Sequence, residues 1–180
     1  MSDQLYMVFD VESVGLHGEG FAVGWVVIDG KGRKIAGAQY ACHPDAAQGD
    51  DDDRAWIAAN IPPPGNGYNC RTPRHVRDEF WRAWSYAKKR GATLAADCAW
   101  PVEANFLRQC VADDPADRKW QGPYPLIDVA SVRLTVGHDP LATCERLPEE
   151  LPAHDPYRDA AQSARLMIEA LKLSAEKAGS

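Results

Sequence analysis

The chain has 180 residues, 45% hydrophobic and 26% charged, with a formal net charge of −6. That length fits one domain with a sizeable core, residues 1–180, and the composition excludes disordered and fibrous classes. The negative balance argues against holding long nucleic acid by bulk electrostatics, although local basic residues and a bound metal can still receive phosphate.

Leu5 to Val14 reads as a largely apolar strand broken only by Asp10 and Glu12. The glycine-rich turn Gly15 to Gly20 leads to a β-branched second strand, Phe21 to Ile28. Asp29-Gly30-Lys31-Gly32 is a hairpin turn, and Lys34 to Cys42 returns as a third strand, so the start is an antiparallel meander. Residues 44–72 form an irregular insertion or loop. It carries the run Asp50-Asp51-Asp52-Asp53, expected as a solvated loop, and a short helix at Arg54 to Asn60.

Thr72-Pro73 opens a helix that carries Val76, Phe80, Trp84 and Ala87 at helical spacing and ends at Gly91. Ala92 to Ala96 is a short buried strand, Pro101 to Val111 a helix, and Pro125 to Val129 another strand. The last helix spans Pro156 to Glu176, with Asp155 as its N-cap. The order βββ-α-β-α-β-α predicts an α/β fold: a mixed sheet, three antiparallel strands then two parallel, with helices on both faces.

The five cysteines are scattered without a Cys-x-x-Cys pair, which points to reduced thiols in a cytoplasmic protein. The N-terminus lacks the pattern of a signal peptide and no apolar run approaches membrane-spanning length, so no membrane partner is expected.

The chemistry concentrates at the two ends of the chain. Residues i and i+2 of a strand share a face, so Asp10 and Glu12 stand side by side while Phe9 and Val11 face the opposite layer. Adjacent half-buried carboxylates repel and are costly without partners, and a divalent cation with its preference for oxygen ligands resolves both problems. Near the other end, Asp159 falls in the first turn of the last helix, where the helix dipole favours a carboxylate, and His154 lies just before it.

These segments together resemble the DEDDh subgroup of the DEDD 3′-5′ exonucleases, which have a ribonuclease H-like fold. Asp10-Val11-Glu12-Ser13-Val14-Gly15-Leu16 is similar to the family's first motif, with Val14 where Thr is usual. His154, four residues, Asp159 and the alanine-rich run Ala160 to Leu166 are similar to its third. The second motif departs. The family's Asp usually sits four residues before the Leu of a Phe-Leu pair, a place held here by Glu103. Asp97 at the strand end keeps the residue type and is taken as the site carboxylate, with Glu103 as the alternative.

The resemblance implies that Asp10, Glu12, Asp97 and Asp159 hold two Mg²⁺ or Mn²⁺ ions. His154 would then be the general base that activates water, a role suited to an imidazole. It implies hydrolysis from the 3′ end of single-stranded RNA or DNA, with RNA ends the first choice, releasing 5′-nucleotides. A homodimer is a candidate state, since members often pair. Leu16 and His17 follow the first motif, where the family often contacts the terminal nucleotide, and Trp100 beside the second motif is placed to pack on it. Trp81 and Trp84 belong to the helix's apolar stripe and are expected in the core, and Asp128 is expected to cap the next element. The rival readings are a DNA-directed exonuclease, a ribonuclease H-like endonuclease using the same carboxylates, and a non-catalytic binding or scaffold module.

Overall fold

A computed structural model of the chain describes residues 4–140 and 142–179. Strands β1 (Leu5–Ser13), β2 (Gly20–Asp29) and β3 (Lys34–Ala41) form the meander, and β4 (Ala92–Ala96) and β5 (Leu126–Asp128) complete a five-stranded sheet of order β3-β2-β1-β4-β5. Strand β2 runs antiparallel to both β1 and β3, whereas β4 pairs parallel with β1 and β5 parallel with β4. The mixed sheet expected from the element order is therefore present, with β1 at its centre.

The two faces of β1 separate the layers. Met7, Phe9 and Val11 point to one core with helices α2 (Pro73–Lys89) and α3 (Ala104–Asp113), where Phe80 packs on Phe9 and Phe106 at centroid distances of 5.0 and 5.3 Å. Trp81 and Trp84 are buried in this core, as their spacing predicts. Val8 points to the other core, with Val129 of α5 (Val129–Thr135) and with Ala164, Met167 and Ile168 of α6 (Pro156–Gly179). Asp10 and Glu12 share the face of Val8 and so look toward α6. The start of α6 presses directly onto β2: a Cβ on Gly24 would lie 2.1 Å from the Tyr157 backbone nitrogen, so only glycine fits there.

Three local readings change. The aspartate run is not a solvated loop but the start of α1 (Asp51–Asn60), which begins three residues earlier than Arg54. Asp50 caps it by accepting a 2.8 Å hydrogen bond from the Asp53 N–H, and three acidic residues in the first turn suit the positive end of the helix dipole. The helix expected from Pro101 begins instead at Ala104, after a π-type turn over Ala99–Glu103 in which Trp100 keeps an extended backbone, as residues before proline do. Helix α5 and the one-turn α4 (Pro115–Arg118) were not expected from the pattern.

Residues 66–70 of the 44–72 segment lie along the outer edge of β3. Asn69 accepts from the Ala41 N–H at 2.9 Å and donates to the Gln39 carbonyl at 2.9 Å, and Cys70 N–H donates to the Ala41 carbonyl. These bonds cover part of an edge that would otherwise expose unpaired backbone groups. All five cysteines are free.

Candidate active site

The β1–β4 ladder ends at Phe9 paired with Ala96, so β1 runs past its neighbour and carries Asp10 and Glu12 into a cleft at the sheet's end. Asp155 caps α6 by accepting from the Tyr157 and Arg158 N–H groups at 3.1 and 3.2 Å, which fixes the turn that brings Asp159 beneath β1. His154 precedes that cap with φ of 61°, a left-handed conformation held by its backbone N–H, which donates to Asp159 Oδ2 at 3.0 Å. Its ring nitrogen Nδ1 comes within 3.7 Å of Glu12 Oε1. Glu12, His154 and Asp159 each offer a ligand atom, all within 4.8 Å of one another.

The charges of this site are poorly balanced. Burial, followed by Glu12, Glu103, Asp159 and Asp97, pushes the Asp10 carboxyl well above the usual carboxylate range. Burial, with Asp159 and Glu103 next, raises Glu12 to about 8. Asp159 is also raised by burial, although Arg146 and His154 pull against the rise. Such shifts arise where several carboxylates crowd one partly desolvated place.

Both candidates for the second motif lie near the cluster, in different surroundings. Glu103 is buried and raised to about 7 by burial, with Val11 and its own backbone N–H groups opposing the rise, and its charge acts on both Asp10 and Glu12. Asp97 is raised by burial but faces the cations Arg133 and Arg146 and a Ser163 hydrogen bond, all of which favour its ionised form. It acts on Asp10 least of the four neighbouring carboxylates. Asp128 has the expected capping role: its oxygens accept from the Ser131 N–H at 2.6 Å and the Ala99 N–H at 2.8 Å.

A cleft of about 430 Å³ opens beside the cluster, lined by Glu12, Leu16, Asp53, Trp56, Val102 and His154 among others. Leu16 is 67% exposed there. His17 and Trp100 are exposed but do not line it. Pattern reasoning missed the contribution of α1. Trp56 meets the His154 ring edge-on at 5.7 Å, and Asp53 packs against Gly15, whose φ of 74° and lack of Cβ admit that carboxylate. It also missed Arg146, whose Nη1 lies 2.5 Å from Asp159 Oδ1.

Hard oxygen donors with one imidazole suit Mg²⁺ or Mn²⁺, and a divalent cation would balance charge that Arg146, Arg133 and His154 offset only in part. The residues present thus fit such an ion.

No protein-family model matches the sequence, and neither does any curated protein. Solved structures do. The chain superposes on the zinc-bound exonuclease I–single-stranded DNA complex of E. coli with a TM-score of 0.60 at 16% identity, over 97% of this chain and 41% of that one. Exonuclease I of Methylocaldum szegediense gives 0.58 at 16% identity, over 96% and 40%. Pop2p of S. pombe, in a form with Mg²⁺ and Mn²⁺ bound, gives 0.62 at 11% identity, over 91% and 81%. The chain thus spans about 40% of the length of the exonuclease I chains. At these identities the likeness defines the fold, and that fold is the α/β ribonuclease H-like one that the motifs imply.

Proposed function

We propose that this protein is a divalent-metal-dependent 3′-5′ exonuclease that removes nucleotides from single-stranded nucleic acid, with RNA ends as its first substrate. The observation that carries the proposal is the convergence of Glu12, His154 and Asp159 ligand atoms within 4.8 Å. Its fold is shared with exonuclease I and Pop2p. Asp10, Glu12 and Asp159 would hold the metal, with Glu103 rather than Asp97 as the fourth carboxylate. Glu103 is preferred because its charge bears on both Asp10 and Glu12, whereas Asp97 acts on Asp10 least and has its own rise partly offset by Arg133, Ser163 and Arg146. Bound there, Mg²⁺ or Mn²⁺ supplies Lewis-acid polarisation of the phosphate and a more acidic water.

The chain's own residues do the rest. His154, half exposed at the cleft, takes the proton of the attacking water, and its position depends on Asp159 through the backbone bond and on Trp56 through the ring contact. Leu16 and Trp56 give the cleft apolar surfaces for the terminal base; His17 and Trp100, expected on that same nucleotide, lie outside the cleft lining and would serve as outer contacts. The acidic first turn of α1 beside the cleft disfavours a long polyanion lying across it, which suits a strand end. A cytoplasmic location and a homodimeric form complete the reading. Among the described residues no helix is long and apolar enough to cross a membrane.

The second reading is a DNA-directed exonuclease, favoured by the E. coli neighbour solved with single-stranded DNA. The test is one gel. RNA and DNA of one sequence, labelled at the 5′ end, are incubated with Mn²⁺, Mg²⁺ or chelator. A metal-dependent ladder shortening from the 3′ end supports the exonuclease, and the faster substrate identifies the nucleic acid. Uncut strands in every lane, with no metal binding, leave a binding module.

A further inference from the structure

Helix α6 grips the segment that precedes it through three residues on one face. Gln162 Nε2 donates to the Cys144 carbonyl at 3.4 Å, Arg158 donates to the Glu149 carbonyl at 3.1 Å, and Arg165 donates to the Glu145 carbonyl at 3.0 Å. Arg165 also forms a two-pronged pair with Glu150, at 2.7 Å from Nε and 2.8 Å from Nη2, and Glu150 in turn accepts from the Leu147 N–H at 2.9 Å. Glu150 is only 3% exposed, so this clamp is part of the folded frame. Its consequence is the placement of the residue before Leu147: Arg146 is turned back into the site, where Nη1 donates to the Glu150 carbonyl at 3.1 Å and to Asp159 Oδ1 at 2.5 Å.

Only one nitrogen of that guanidinium is hydrogen-bonded among the described residues. Among the described residues, Nε and Nη2 of Arg146 make no hydrogen bond, and the side chain keeps 23% of its surface open. A planar fork with two unused donors, held by a rigid clamp at the edge of a carboxylate cluster, matches the geometry with which arginine takes a phosphate. Asp159 also belongs to the 4.8 Å group with Glu12 and His154 whose atoms could hold a metal ion.

We propose that Arg146 is the phosphate-binding arginine of this site: it pairs with Asp159 in the free protein and turns its open donors to the substrate phosphate when a strand end enters. The proposal rests on the nuclease reading above, and names the residue that would receive the phosphate there. With Arg146 engaged by the phosphate, Asp159 would be free to serve as a ligand of a divalent cation, so anion and cation would be taken up together. A lysine at this position would keep the charge but lose the fork.

The test is binding, with no turnover required. Calorimetry in Mn²⁺ measures adenosine 5′-monophosphate and adenosine on the wild type, Arg146→Met and Arg146→Lys, and electron paramagnetic resonance measures Mn²⁺ affinity for each. The expected result for Arg146→Met is a loss of at least about tenfold in the preference for the monophosphate, with Mn²⁺ affinity undiminished. Arg146→Lys falls between, and decides the matter alone if circular dichroism shows that the Met variant does not fold. An unchanged preference overturns the proposal. So does a parallel fall of Mn²⁺ and monophosphate affinity by about 10–100-fold, which means that Arg146 merely orients Asp159. A wild type that binds neither probe sinks the nuclease reading as well, and is recognised before any variant is made.

Discussion

Two clusters of buried charge stand on opposite faces of the sheet, and they differ in how their charges are satisfied. On the α2 side, Arg77 is 7% exposed and donates to Glu19 at 2.7 Å and to Asp113 at 2.5 and 3.0 Å. Burial works to lower the Arg77 pKa, but these hydrogen bonds prevail and hold it above the ordinary guanidinium value. On the α6 side, Asp10, Glu12, Glu103 and Asp159 are all raised, with burial as the first cause in each. The first cluster ties α2 to the end of α3 and to the β1–β2 turn, and its polar groups are matched. In the second, neighbouring carboxylates deepen the imbalance. A satisfied buried charge serves the fold, whereas an unsatisfied one marks a place built for something else.

The largest effect that would sharpen this contrast is on catalysis. Asp10→Asn and Glu12→Gln should each lower metal-dependent cleavage by about 10²–10³-fold. Their urea midpoints in chelator should hold or rise, because each removes a repelling charge. Loss of folding in both would move these residues into the structural class and break the comparison. The reverse pattern is expected of Arg77→Met, which leaves Glu19 and Asp113 buried without their partner and should cost about 3–5 kcal/mol in urea unfolding. The turnover of the protein that remains folded should be unchanged, as no atom of that cluster lines the cleft.

A smaller effect separates the two acids of the second motif. Glu103→Gln should weaken Mn²⁺ binding by about 10–100-fold, the span typical of groups at or beside a metal site. Asp97→Asn should change it less, since Arg133, Arg146 and Ser163 already share that carboxylate. If Asp97→Asn proves the more damaging, the strand-end acid is the ligand and Glu103 its neighbour.

How much of this could be read from residues alone follows from the range of each signal. The boundaries of β4 match the expectation of Ala92 to Ala96, and α2 and α6 start where Thr72 and Asp155 cap them, because caps and apolar runs are local. The same is true of the side-by-side placement of Asp10 and Glu12 on a strand. The seven residues of α5 are too few for a periodic pattern to emerge, and the first turn of α1 was hidden because four aspartates look like solvent-facing loop until Asp50 is seen to cap them. Arg146 meets Asp159 thirteen residues away only through the Glu150–Arg165 clamp, which no spacing rule announces. The position of Glu103 likewise depends on a π-type turn that the sequence disguises as the first turn of a helix.

The smallest effect is on the pH dependence of stability without metal, and it arises in the α6-side cluster. Glu12 rises from an ordinary 4.5 to about 8, and Glu103 from 4.5 to about 7. The folded chain therefore keeps protons that the unfolded chain releases above the ordinary value. Stability from these groups is fully present below about 4.5 and is lost as pH climbs through 7 and then 8. Asp29, Asp128 and Glu150 are lowered, so they act in the opposite sense, but only as pH falls below the ordinary carboxylate range. Urea midpoints measured in chelator should fall between pH 5 and pH 8, and Glu12→Gln should flatten that slope. Adding Mn²⁺ should restore stability most at the alkaline end, where the carboxylates are ionised and ready to bind it. A midpoint that stays level or rises over this interval in the metal-free wild type would mean that the α6-side carboxylates are as well satisfied as the Arg77 cluster, and the distinction between the two faces would be lost.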